Sequence, residues 1–140
     1  MVIDKFDGEY RFLSNFFTTS VVYDGVSYPS SENAYQAAKT LDPLEREQFV
    51  NCTAGQAKRL GQKITLREDW EDVKILIMLS IVQSKFKRPY LRDRLLATGD
   101  AILIEGNTWG DTFWGVCDGK GENWLGKILM VIRSELLHHP

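Results

Sequence analysis

Read for its spacing of apolar and polar side chains, the chain divides into short β-prone runs and longer stretches with helical periodicity. The run VVYDGVSY, residues 21–28, places Asp24-Gly25 between two β-prone segments. It predicts a hairpin, because both central positions of a type I′ turn need positive φ, which Asp-Gly tolerates. After Pro29, Ser30 or Ser31 can cap a helix reaching about Leu41, with Ala34, Ala37, Ala38 and Leu41 turned to the core. Asp42-Pro43 ends that helix, and Asp42 with Glu45 has the spacing of a capping box. Thr53 and Gln56 repeat the spacing before a short helix that Gly61 can close.

Trp70, Val73, Ile77, Ile81 and Phe86 mark an apolar stripe in a helix from about Arg67 to Lys87, ended by Pro89. Tyr90 to Thr98 fits another short helix, with Gly99 as its stop. Residues 101–105, AILIE, read as a buried strand, and Thr112 to Val116 as a second one. The last helix, about Asn123 to Leu137, gathers Leu125, Ile128, Leu129, Ile132 and Leu136 on one face. Together these elements predict a single α+β domain over residues 1–140, mainly helical, with a few short antiparallel β-strands.

Composition narrows the function classes more than the fold. At 44% hydrophobic and 26% charged residues, the chain matches an ordinary globular domain. A net charge of −2 offers no general attraction to nucleic acid or anionic membrane, so a nucleic-acid partner would need a local basic patch. Lys85, Lys87, Arg88, Arg92 and Arg94 form a basic run, and Lys58, Arg59 and Lys63 a smaller one; the expectation for both is solvated surface. Cys52 and Cys117 lack metal-ligand spacing and predict reduced thiols rather than a disulfide or zinc site. His138 and His139 stand beside the last residue, where a frayed tail is expected and no metal or histidine chemistry. The opening MVIDKFDGEYRF has no apolar signal core, and the longest apolar run, Ile75 to Leu79, cannot span a bilayer. A cytoplasmic protein with no membrane partner is expected.

Candidate chemistry falls in a few clusters. At about 100° per residue, positions 32, 36 and 39 lie within roughly 60° of one another on a helix. Glu32, Gln36 and Lys39 therefore share a polar stripe in YPSSENAYQAAK, and a helix start favours the ionised form of Glu32. An acid placed for chemistry and an ordinary first-turn glutamate on a solvated face both fit. In GNTWGDTFWG, Asp111 lies between Trp109 and Trp114, whose rings could stack on a heterocycle or bury in the core. In DGKGENWLG, a glycine-rich approach to a helix that includes Asn123 could aim N–H groups at a phosphate or be a plain helix entry. FLSNF sets Ser14-Asn15 between aromatics, free to cap a turn or meet a ligand.

FLSNF, YPSSENAYQAAK, AKRLG, the W…M…KF helix, LLATGD, ILIE, DTFWG and GKGENWLGKILMVIR occur in the order found in the NADAR family of YbiA-like proteins, which the chain resembles from about Phe12 to Leu137. Relatives often carry a histidine after the motif glutamate, where this chain has Asn33. The resemblance implies hydrolysis of a ribose C1–N bond, most directly in ribosylamino-pyrimidine phosphates of riboflavin synthesis. Alternatives within it are removal of ADP-ribose from guanine bases, including ADP-ribosylated nucleic acid, and a non-catalytic ADP-ribose or NAD-binding module. It also implies the roles: Glu32 as main carboxylate, Asp111 as second acid, Lys39 on phosphate or ribose, and Trp114 on the base. Asn15, Gln36 and Asn123 would contact substrate. The scheme uses no metal and no cofactor.

Overall fold

The computed structural model describes residues 1–139. In chain order its elements are β1 (Val2–Ile3), a 3-10 helix (Gly8–Leu13), β2 (Val21–Tyr23), β3 (Val26–Tyr28), α1 (Ser31–Ala38), α2 (Pro43–Glu47) and α3 (Ala54–Leu60). They continue as α4 (Trp70–Lys85), α5 (Pro89–Ala97), β4 (Ile102–Leu103), β5 (Gly106–Asn107), β6 (Val116–Cys117) and α6 (Trp124–His138). The mainly helical α+β class is as expected, with one difference in the strands. Among the described strands, β2 and β3 pair antiparallel, whereas β1 pairs with β4, and β5 with β6, in parallel. Two-residue strands carry no alternation that could reveal their direction. No described helix is long and apolar enough to cross a membrane.

The chain packs as two compact units, Asn15–Lys85 and Met1–Ser14 with the chain from Phe86 onward. In the first, Asp24 (φ 50°) and Gly25 (φ 80°) make the expected turn between β2 and β3. Ser30 caps α1 by accepting a hydrogen bond from Asn33 N at 3.1 Å. The Glu32 N–H, another first-turn donor with no partner inside the helix, reaches the Asn15 carbonyl at 3.0 Å. Ala34, Ala37 and Ala38 are fully buried, and their small side chains let α3 and α4 lie close against α1. The helix ends at Ala38, so Leu41 falls off its apolar face and is 64% exposed, contrary to expectation.

The two expected capping boxes part ways. Thr53 and Gln56 form theirs in full, at 2.9 and 3.1 Å. Asp42 caps Leu44 N, but Glu45 does not reach back to it; its carboxylate accepts from Thr40 Oγ1 at 2.6 Å and from Thr65 N. A tertiary partner has taken the side chain that the local motif would use. The α4 helix begins three residues later than expected, because Arg67 N donates to Lys39 O at 2.7 Å while its guanidinium pairs with Asp69.

In the second unit, Ile3 and Leu103 turn inward while Val2 and Ile102 stay exposed. The α6 helix packs on β4 and α5. Gly126 makes that approach possible, since any Cβ there would overlap the Leu103 carbonyl. The strand expected at 112–116 is a loop up to Val116, because Asp111 Oδ1 takes the N–H groups of Phe113 and Trp114. The helix also runs through His138, whose Nδ1–H meets the Ser134 carbonyl at 2.8 Å, where a frayed tail was expected.

Candidate active site

Within the Asn15–Lys85 unit, the stripe Glu32, Gln36 and Lys39 is not a solvated face. Glu32 is 8% exposed and Gln36 4%. Gln36 Nε2 donates to Glu32 Oε2 at 2.6 Å, a short charge-assisted bond. Lys39 Nζ stands 5.3 Å from the Tyr35 ring centroid and 6.0 Å from that of Trp70, and the two rings are 5.2 Å apart. Burial pushes the Lys39 ammonium below its ordinary range; the Glu32 charge opposes that shift and the Lys74 charge adds to it. The result is a buried carboxylate and amide along one face of a helix, with a half-buried ammonium at its C-terminal end.

Asn15 joins this group through its main chain. Its carbonyl holds the Glu32 N–H, while its amide lies 3.7 Å from Met78 Sδ. Asn33, next to Glu32, faces elsewhere and is fully buried. Its amide donates to Phe49 O at 2.9 Å and Cys52 O at 2.8 Å, and its Oδ1 accepts from Ser30 Oγ at 2.5 Å. Asn33 therefore latches the 49–52 turn to the start of α1. Lys85 overturns the expectation of a solvated basic run. It is 1% exposed, Nζ is 5.7 Å from the Phe17 ring centroid, and burial brings its ammonium down to about 7.

The remaining candidates lie in the other unit, on the loop between β4 and α6. Asp111 uses Oδ1 on Phe113 N (3.1 Å) and Trp114 N (2.9 Å), and its main chain is bracketed by the Asn107 amide. Asn123, with φ 55° at the start of α6, accepts from Glu105 N and donates to Leu103 O, both at 2.9 Å. Trp114 packs edge-on against Phe113 at 4.8 Å. The glycine-rich entry to α6 spends its last N–H groups on the chain. Those of Glu122, Asn123, Trp124 and Leu125 bond to Thr112, Gly115, Phe113 and Trp114 carbonyls.

The sequence reading missed Tyr35, Trp70, Lys74, Gly61 and Lys85. Tyr35 was within reach of it, four residues before Lys39 on one helix. Trp70 and Lys74 arrive only through the packing of α4 on α1. Among the described residues, no group of three or more His, Cys, Asp or Glu could hold a metal ion.

The NADAR domain model matches residues 3–137, and the chain belongs to the NADAR family. It is 38% identical over 133 residues to N-glycosidase YbiA of Escherichia coli, covering 91% of this chain and 82% of that protein. It is 41% identical over 138 residues to a riboflavin biosynthesis protein of Vibrio vulnificus, covering 95% of this chain but only 37% of the longer relative. The chloroplastic riboflavin biosynthesis protein PYRR of Arabidopsis thaliana is 36% identical over 116 residues, 81% of this chain and 18% of its own length. The solution structure of E. coli YbiA superposes with a TM-score of 0.85 at 36% identity, covering 99% of this chain and 84% of that one.

Proposed function

We propose that the chain is an N-glycosidase that hydrolyses the ribose C1–N bond of a ribosylated heterocycle, with ribosylamino-pyrimidine phosphates of riboflavin synthesis as its substrates. The observation that carries this reading is the buried Glu32 carboxylate at the start of α1, held by Gln36 beside Lys39. Membership of the NADAR family, and relatives named N-glycosidase and riboflavin biosynthesis protein, support the reaction class.

As the C1–N bond breaks, positive charge grows on the ribose ring and the electron pair leaves with nitrogen. Glu32 can stabilise that oxocarbenium ion or take a proton from the attacking water. Water adds its oxygen to C1 and its proton ends on the departing nitrogen, giving ribose 5-phosphate and the free amine. Lys39 supplies the positive charge for a phosphate or ribose oxygen. In the other unit, Asp111 keeps its Oδ2 outside the loop's own bonds. Asn123 keeps the loop in shape, since both ends of its amide are used on the chain.

The test is release of free base from a ribosylamino-pyrimidine phosphate, run beside ADP-ribosylated guanine and beside Glu32→Gln. Release from the first substrate, lost in folded Glu32→Gln, is the expected result. Turnover of the guanine adduct alone would move the chain to the ADP-ribosyl branch. Nucleotide binding without turnover would make it a binding module.

A further inference from the structure

Gln36 is a buried amide with one end occupied and the other not. Nε2 donates to Glu32 Oε2 at 2.6 Å, while Oε1 has no hydrogen-bond partner among the described residues. A buried acceptor without a partner is costly, so its retention needs a reason. Gly61, at the end of α3, leaves the room that the amide occupies. A Cβ at residue 61 would overlap Gln36 Oε1 and come within 2.7 Å of Cδ. Gly61 has φ −61°, an ordinary helical value, so its backbone does not call for glycine. The space does.

We propose that Gln36 is the positioning residue for Glu32: it holds the carboxylate in one orientation and in its ionised form, and Gly61 provides the room for it to do so. An Nε2–H can only donate, so the bond favours the carboxylate over the carboxyl, which would bring its own proton. The pair therefore favours one role for Glu32 over the other. It acts as base or cation stabiliser, and the leaving nitrogen draws its proton from another source. This assignment rests on the N-glycosidase reading for its chemical meaning, though not for its geometry.

Other charged groups around the pair leave the assignment in place. Lys39 on α1 also favours the ionised form, and Lys74 on α4 acts on Lys39. On α2, Glu45 is bound to Thr40 and Thr65, and Arg46 pairs with Asp24 of the hairpin at 2.8 Å. The α3 helix brings Lys58 and Arg59 in its last turn. Tyr28 on β3 is a buried phenol held above its ordinary range by that burial.

Two measurements test the proposal on the intact protein. The first needs no activity: the Glu32 side-chain carboxyl is followed by carbon NMR through a pH titration, in wild type and in Gln36→Met. The midpoint is expected to rise by about one to two pH units when the donor is lost. Gly61→Ala should raise it too, while adding Gly61→Ala to Gln36→Ala should change it no further. The second is the pH profile of base release, whose acidic limb should move up by the same amount in Gln36→Met, with kcat restored at higher pH. An unchanged Glu32 midpoint in a folded Gln36→Met protein would overturn the proposal, whatever the activity. A raised midpoint with no base release from any substrate would sustain Gln36's positioning role and count against the N-glycosidase reading.

Discussion

The α1 helix and the loop between β4 and α6 both carry the polar side chains that a C1–N hydrolysis would need, yet they use them in opposite ways. On α1 the backbone satisfies itself, through its own turns, the Ser30 cap and the Asn15 carbonyl. Its buried carboxylate and amide, and the half-buried ammonium at its end, are therefore not required by the chain. In the loop the backbone is irregular and half-buried, and its N–H and C=O groups must find partners somewhere. Asn107, Asp111 and Asn123 supply them. A polar residue that is buried on a self-sufficient helix and, unlike Asn33, holds no other segment is a better mark of chemistry than one buried in a loop.

The sharpest way to break this comparison is to exchange the penalties. Glu32→Gln should reduce base release by about a thousandfold, as expected for loss of a carboxylate acting on the reacting atoms. Its urea midpoint should remain close to that of wild type. A Glu32→Gln protein that unfolds early but turns over normally would place Glu32 among the structural residues.

Lys85 extends the comparison to a second helix. Its ammonium titrates at about 7 when folded and at the ordinary value of 10.5 when unfolded, because burial removes water from the charge. Between those two values the unfolded chain binds the extra proton, so stability rises with pH across that window. Below about 7 both states are protonated and the cost of burial is present in full. The slope approaches about 1.4 kcal/mol per pH unit. Denaturation of wild type and Lys85→Met at pH 7, 8.5 and 10 reads it directly, and Lys85→Met should flatten the rise. Parallel curves would mean that Lys85 is not the titrating group.

Asn123→Ala belongs to the loop side. It leaves the Glu105 N–H and the Leu103 carbonyl without partners, at about 2–3 kcal/mol for the pair. Chemical denaturation should show that loss. Material that remains folded should keep its KM within about twofold, since a residue spent on the chain has little left for substrate.

Local patterns made much of the fold legible before the structure. The Asp24-Gly25 turn, the Ser30 cap, the Thr53–Gln56 box and the Gly99 stop each depend on a few neighbouring residues, and each is present. Where the reading failed, a distant group had intervened. Glu45 left its capping box for Thr65, Arg67 left α4 for the Lys39 carbonyl, and β1 found β4 a hundred residues away. The site divides along the same line. Helical spacing placed Glu32, Gln36 and Lys39 on one stripe, but could not say that α3 and α4 would bury it. Nor could it tell that Lys85, in a run of cations, would be the one turned inward, or that Gly61 answers to Gln36 rather than to its own φ.

The smallest expected effect is the most discriminating for the loop. Asp111 touches the Phe113 and Trp114 N–H groups through Oδ1, and an asparagine keeps an oxygen at that position. Asp111→Asn should therefore hold the loop, changing stability by less than about 0.5 kcal/mol, whereas Asp111→Ala should lose about 1–2 kcal/mol with both bonds. Stability alone would then confine Asp111 to the loop's own architecture. Base release adds the second axis. If Asp111→Asn is as stable as wild type and as active, its charge is idle and Glu32 is the working carboxylate. If it is as stable but slowed a hundredfold or more, the charge matters apart from the bonds, and the loop gains the chemical role that its hydrogen bonding conceals.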